Sequence, residues 1–225
     1  MSPPRKGNDN LGVGTGRAAG VFGKVAGKLF VVPNRKGKVV VLDPKSIDSD
    51  TRARWRRERK GGGGETVQSR KLDPNDPNLD DRDREMLDAI AKARLHAGDD
   101  NPGVNYNAIR YIDGNGEERI LVSRSDGVHS ERFATNFLLD DNVRKEDIKD
   151  LVTERGPCVK NPACSQWVLR NTADQDGNGA YHNPANVAHV ADYQAGSNLN
   201  NNRQATKDVK QWVDSVFAPN SPWRL

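Results

Sequence analysis

The sequence predicts an α/β domain built in layers, carried behind a long basic tail. From about residue 80, helical and strand patterns alternate in the order α, β, β, α, β, α, β, α. The later strands are joined by helical crossovers, so they are expected to run parallel within one sheet. The last helix is the clearest periodic signal, with Ala205, Val209, Trp212, Val213, Val216 and Phe217 on one stripe that packs on the sheet. Only 34% of the 225 residues are hydrophobic, and there are 21 Gly and 12 Pro. That is too little apolar surface to offset the entropy of ordering the whole chain.

Residues 1–78 read as a basic, largely disordered tail and linker, with the folded domain at 79–225. Residues 1–70 hold 16 Lys and Arg against 6 Asp and Glu, whereas residues 101–225 hold 14 against 16. Arg52 to Lys60 is a basic run, and Gly61 to Gly64 is a hinge. Val21, Phe22, Val25, Ala26, Leu29 and Phe30 recur at helical spacing, as a membrane-surface helix requires, but the glycines from Gly14 to Gly27 weaken any helix there.

Asp80 or Asp81 can cap a helix through Met86, Leu87, Ile90 and Leu95 that Gly98 ends. Strands at 105–113 and 117–124 follow, joined by Asp113-Gly114-Asn115-Gly116, whose residue types suit a hairpin turn. A helix from Val128 to about Leu139 uses Phe133, Phe137 and Leu138 as its apolar side. Ile148 to Glu154 is the next strand. Asn161-Pro162 resembles an N-cap with proline at the first helical position, opening a helix through Cys164, Trp167, Val168 and Leu169. Residues 186–193 form the last strand.

No run approaches the roughly 18 apolar residues of a membrane span, and the N-terminus lacks the apolar segment of a secretory signal. With only Cys158 and Cys164 the chain is not a disulfide scaffold. Gly14 to Ala19 resembles a dinucleotide fingerprint but lacks the preceding strand. Asp174 to Gly179 begins like a calcium loop, but its twelfth position is Ala185 where a bidentate Glu is needed.

His129-Ser130-Glu131, then Pro157-Cys158 and Cys164, has the H-x-E…P-C…C layout in which one imidazole and two thiolates hold Zn²⁺ and an unligated Glu moves protons in a deamination. Three protein ligands leave a fourth position for water, and helix starts favour the thiolate. Glu131 is two positions from His129, so the pair converges only if the metal lies off the helix end. Two other readings stay open. The cysteines are a small-loop disulfide or plain buried thiols, or the zinc is structural and takes His182 or His189 as a fourth ligand. Trp167 reads as core, whereas Tyr181 and His182, in a polar loop, are weak candidates for touching a base.

Residues 80–217 resemble the cytidine deaminase-like superfamily in element order and in the placement of two metal motifs at the starts of consecutive helices. His129-Ser130-Glu131-Arg132 and Thr153-Glu154-Arg155-Gly156-Pro157-Cys158 resemble, more narrowly, the deaminase domains of bacterial polymorphic toxins. The resemblance implies a three-layer fold with a mixed sheet of four or five strands. It implies Zn²⁺ on His129, Cys158 and Cys164, and Glu131 as proton shuttle. It also implies a hydrolase acting on the C–N bond of a cyclic amidine, with a cognate immunity protein as partner. Two departures stand out: five residues separate the cysteines where two are usual, and no strand pattern follows the last helix.

The leading expectation is a toxin effector deaminating cytosine in nucleic acid, DNA before RNA, delivered into a target cell. The near-neutral catalytic half also suits a free nucleoside or nucleotide substrate, and a nonenzymatic module that uses zinc only to fold is the third reading.

Overall fold

The computed structural model describes residues 29–34, 37–57, 64–159, 163–193 and 199–224. Along the chain these form β1 (Leu29–Asn34), β2 (Gly37–Leu42), α1 (Ser49–Arg57), β3 (Ser69–Lys71), α2 (Asp81–Ala97), β4 (Tyr106–Ile112) and β5 (Glu118–Arg124). They continue with α3 (Ser130–Asp140), β6 (Ile148–Arg155), α4 (Cys164–Thr172), β7 (Asp174–Gln175), β8 (Tyr181–His182), β9 (Asn186–Ala191) and α5 (Leu199–Phe217). Seven strands make one mixed sheet in the order β1-β2-β5-β4-β6-β9-β3, and β7 and β8 pair as a separate small hairpin.

Alternation along the central strands divides the interior into two layers. Ala108, Val122, Val152 and Ala188 face a cluster containing Met86, Leu87 and Ile90 of α2 and Val209, Trp212 and Val213 of α5. Ile109, Leu121, Leu151 and Val187 face the opposite cluster, with Phe133 and Phe137 of α3, Trp167 and Val168 of α4, and Trp55 of α1. The result is the expected three-layer α/β arrangement. The parallel pairing of β6 with β9 follows from the α4 crossover between them, as the element order predicts.

Local chemistry sets the element ends. Asp80 accepts from the Arg82 N–H (2.9 Å) to start α2, and Gly98, left-handed at φ +61, ends it. In the β4–β5 turn, Asp113 Oδ1 accepts from the backbone N–H groups of Asn115 (2.8 Å) and Glu117 (3.0 Å). Gly116 supplies the φ of +78 that this turn needs.

The sheet is wider than the four or five strands expected, because the stretch taken as tail contributes three of them. β1 and β2 form an antiparallel hairpin, and β2 lies parallel to β5 with Val41 opposite Val122. Val41 and Leu42 are buried on opposite faces, which is the reason this apolar run is a strand. At the other edge, β3 runs parallel to β9. No strand among the described residues follows α5. The chain ends in a 3-10 turn, Pro222–Arg224, with Trp223 edge-on to Trp212 at 5.2 Å. Ordered structure therefore begins well before residue 79, with Trp55 fully buried. Residues 21–28 of the suspected surface helix lie outside the described residues, while Leu29 and Phe30 open β1. No described helix is long and apolar enough to cross a membrane.

An ion pair sits in the α2 and α5 layer. Arg94 and Glu154 side chains are both 0% exposed and meet bidentately at 2.6 and 2.8 Å. Glu154 also accepts from Trp212 Nε1 (3.0 Å) and the Tyr106 N–H (2.8 Å). Arg94 donates onward to the carbonyls of Asp99 and Val104, both at 2.7 Å, and lies 4.3 Å over the Tyr106 ring. Removing one partner leaves a buried, uncompensated charge. Arg94→Met is therefore expected to cost about 3–5 kcal/mol, read as a lower midpoint of urea unfolding; a cost under about 1 kcal/mol, the scale of an exposed pair, would deny the pair this role.

Asp141 closes α3, where a carboxylate opposes the helix dipole. Burial pushes its pKa up to about 6 from 3.8. The folded chain binds this proton more tightly than the unfolded chain, so this group's effect is a loss of stability as pH rises from about 4 to about 6. Asp141→Asn should flatten that part of a stability-against-pH curve and raise stability at neutral pH.

Candidate metal centre and active site

The three expected ligands meet at the starts of two helices. His129 is the N-cap of α3, in extended conformation (φ −64, ψ 142), just ahead of the first turn where the sequence placed it. Cys164 is the first residue of α4, preceded by Ala163 at a left-handed φ of +57. The expected Asn161-Pro162 cap lies outside the described residues, and Cys158 performs capping work instead. Its Sγ accepts from the Cys164 N–H at 3.3 Å and its carbonyl accepts from the Ser165 N–H at 3.0 Å.

His129 Nδ1 lies 3.3 Å from Cys164 Sγ and 3.9 Å from Cys158 Sγ, and one donor atom from each residue falls within 4.8 Å of the others. Ligands sharing a tetrahedral ion at about 2.0–2.3 Å stand roughly 3.3–3.8 Å apart. Both cysteines are unbridged and buried, which removes the disulfide reading. Hydrogen bonds from Cys164, and then the His129 imidazole and the Cys164 N–H, pull the Cys158 thiol down to about 4. The same partnership and burial push the Cys164 thiol up. This is a donor set prepared for a cation.

Glu131 follows at the second position of α3 and is 2% exposed. Its Oε1 accepts from Thr153 Oγ1 (3.3 Å) and Asn105 Nδ2 (3.4 Å), while its buried Oε2 has no hydrogen-bond partner among the described residues. Burial raises its pKa, and neighbouring His129 acts against the rise. A raised pKa suits a group that must both accept and release a proton near neutrality. The orphan oxygen beside the three donors fits a metal site with one open position.

Sequence reasoning missed the frame around Glu131. Asn105, in the loop before β4, donates from Nδ2 to Ser130 Oγ (2.8 Å) and Thr153 Oγ1 (3.0 Å), and its Oδ1 accepts from the Arg155 N–H (2.9 Å). Ser123 Oγ donates to the Ser130 carbonyl at 3.3 Å. One amide thus joins the start of α3 to the end of β6. Its only sequence signal is a polar residue at the mouth of a strand.

The remaining candidates go elsewhere. His189 spans Ser69 Oγ and Asp192 Oδ1, each at 2.7 Å, and His182 pairs with Asp176 at 3.1 Å. Neither joins the group of His129, Cys158 and Cys164, so among the described residues three donors, and no fourth, lie close enough together to hold a metal ion there. Tyr181 is half-buried against the α3 and α4 layer, and Trp167 is core as expected. The loop resembling a calcium site is the β7–β8 turn, in which Asp176 Oδ1 accepts from the N–H groups of Asn178 and Ala180, both at 2.9 Å.

A three-layer sandwich bringing one imidazole, two thiols and a separate carboxylate to adjoining helix starts is the arrangement of the cytidine deaminase-like superfamily. Residues 102–211, just under half of the chain, match the family model described as Xanthomonas-like deaminase, a match that fits a cytidine deaminase-like superfamily. Comparison with curated proteins and with solved structures gives no match.

Two substitutions separate metal holding from proton handling. Cys164→Ala should reduce metal content, measured by elemental analysis, to a small fraction of the wild-type level. Asn105→Ala should leave the metal in place and lower turnover by about 10–100-fold, the usual cost of losing an outer-shell partner.

Proposed function

We propose that the protein is a zinc-dependent nucleobase deaminase that converts cytosine to uracil in DNA, working as a toxin effector. The observation that carries this reading is the cluster of His129, Cys158 and Cys164 donors with the partnerless Oε2 of Glu131 on the same helix start. The imidazole and two sulfurs suit zinc, for which thiolate and imidazole ligands are usual. Zinc held there supplies Lewis acidity that makes water nucleophilic near neutral pH.

Glu131 takes the proton from the attacking water as the oxygen bonds to C4, and passes it to ring nitrogen N3. It then takes the proton of the new C4 hydroxyl and delivers it to the exocyclic amine as the C4–N bond breaks and the C4 carbonyl forms, so that ammonia leaves and uracil remains. Asn105 and Thr153 hold the other carboxylate oxygen and keep the carboxylate fixed through the cycle. In the toxin setting a cognate immunity protein restrains the activity. A free cytidine nucleoside or nucleotide is the second substrate reading, favoured by the near balance of 14 basic and 16 acidic residues over 101–225.

The test is sequencing of single- and double-stranded DNA after exposure to the zinc-loaded protein. C-to-T changes are expected, and Glu131→Ala should lower their rate by about 10²–10⁴-fold with metal content retained. Ammonia release from cytidine without any change in DNA would select the free nucleoside, and a zinc-loaded protein inert on both would remove the enzyme.

A further inference from the structure

We propose that Arg56 is a phosphate anchor at the rim of the site, gripping the backbone of the nucleic-acid strand beside the base undergoing deamination; this rests on the deaminase reading above. The matched stretch from residue 102 onward is close to electrically neutral, whereas the chain's positive charge lies in residues 1–70. A polynucleotide needs basic groups where it binds. α1 brings some of that charge to the metal centre.

The placement is fixed from both ends. Trp55 is fully buried, sits edge-on to Phe133 at 5.1 Å, and donates from its indole N–H to Asp140 Oδ2 at 3.0 Å. On the next residue, Arg56 Nε donates to the Gly127 carbonyl at 3.2 Å. Gly127 is exposed and lies two residues before His129, the only one of the three ligands that is not fully buried. Gly127 adopts φ +68, which other residues rarely take, and Arg56 Nη2 occupies the place where a Cβ would project. Arg56 is therefore held beside the exposed segment that leads into His129.

Charge singles out Arg56 among its neighbours. Arg52 pairs with Asp126 at 3.7 Å and Arg54 with Asp140 at 2.5 Å. Arg56 meets a neutral carbonyl, and no carboxylate among the described residues pairs with it. With Nε engaged, the guanidinium plane is held while its two terminal nitrogens remain as a fork, the geometry that suits two phosphate oxygens. Exposed Arg57 follows it in the helix. Val159, one residue after Cys158, is 42% exposed and offers an apolar surface for a neighbouring base.

The experiment uses the full zinc-loaded chain and a short fluorescein-labelled single-stranded oligodeoxynucleotide, with binding followed by anisotropy across a salt series. Arg56→Ala is expected to weaken binding about 10-fold at low salt and to reduce the slope of log affinity against log salt by about one. Arg56→Lys should recover part of the affinity. Arg82→Ala, on α2 in the opposite layer, should match wild type. In deamination assays Arg56→Ala should raise KM for the oligonucleotide and leave turnover of free cytidine unchanged. Unchanged affinity and slope in Arg56→Ala, an equal loss in Arg82→Ala, or an equal loss on cytidine would overturn the proposal. A wild-type protein that binds the oligonucleotide through Arg56 yet deaminates nothing would instead sink the deaminase reading and leave the anchor standing.

Discussion

The contact between Arg94 and Glu154 is the constraint on which the rest of the architecture depends. It joins α2 to β6, receives the Trp212 indole of α5 and the Tyr106 amide of β4, and satisfies three carbonyls of the 99–104 loop. A buried ion pair is not intrinsically more stabilising than an apolar contact of the same volume. Its value is directional. A guanidinium whose donors are nearly all assigned admits one relative placement of these elements, and β6 is the strand that delivers the chain to Cys158. The adjacent residue Thr153 faces the other way and touches Glu131, so one strand end fixes the layer behind the sheet and the chemistry in front of it.

The site itself uses the unsatisfied ends of helices. Exposed amides at a helix start attract negative charge, and both metal motifs are placed there. Cys158 shows how economical this is. One residue caps α4 with its sulfur and its carbonyl, and the capping favours the ionised sulfur that a cation requires. The longer spacing between the cysteines is absorbed before α4, with the left-handed turn at Ala163 bringing Cys164 to its first position. An insertion there alters the loop and leaves the donor triangle intact.

The gathering of His129, Cys158 and Cys164, with Glu131 on the same helix start, was legible because its signal is local: fixed spacing, residue types with few other uses in combination, and helix starts marked by the surrounding pattern. α2, the β4–β5 hairpin and α5 were legible for the same reason, through caps, turn residues and an uninterrupted apolar stripe. The supporting contacts were not. Arg94 stands two residues after Lys92 on a helix and has the sequence signature of a solvated charge, while its partner lies 60 positions away. Asn105 presents the same difficulty. The N-terminal strands carried a signal in the apolar run Val39-Val40-Val41-Leu42, but the dense basic residues around it suggested a tail. Pairing with β5 and β9 is a long-range event that composition does not encode.

The strands at the two margins of the sheet come from outside the stretch that family resemblance picks out. So does Arg94. A fragment cut to the recognisable boundaries would bare the flanks of β5 and β9 to other chains and strand a carboxylate in oil, a combination that leads to aggregation. The stretch detected by comparison is thus shorter than the unit in which the sheet margins are covered and the buried charge is paired.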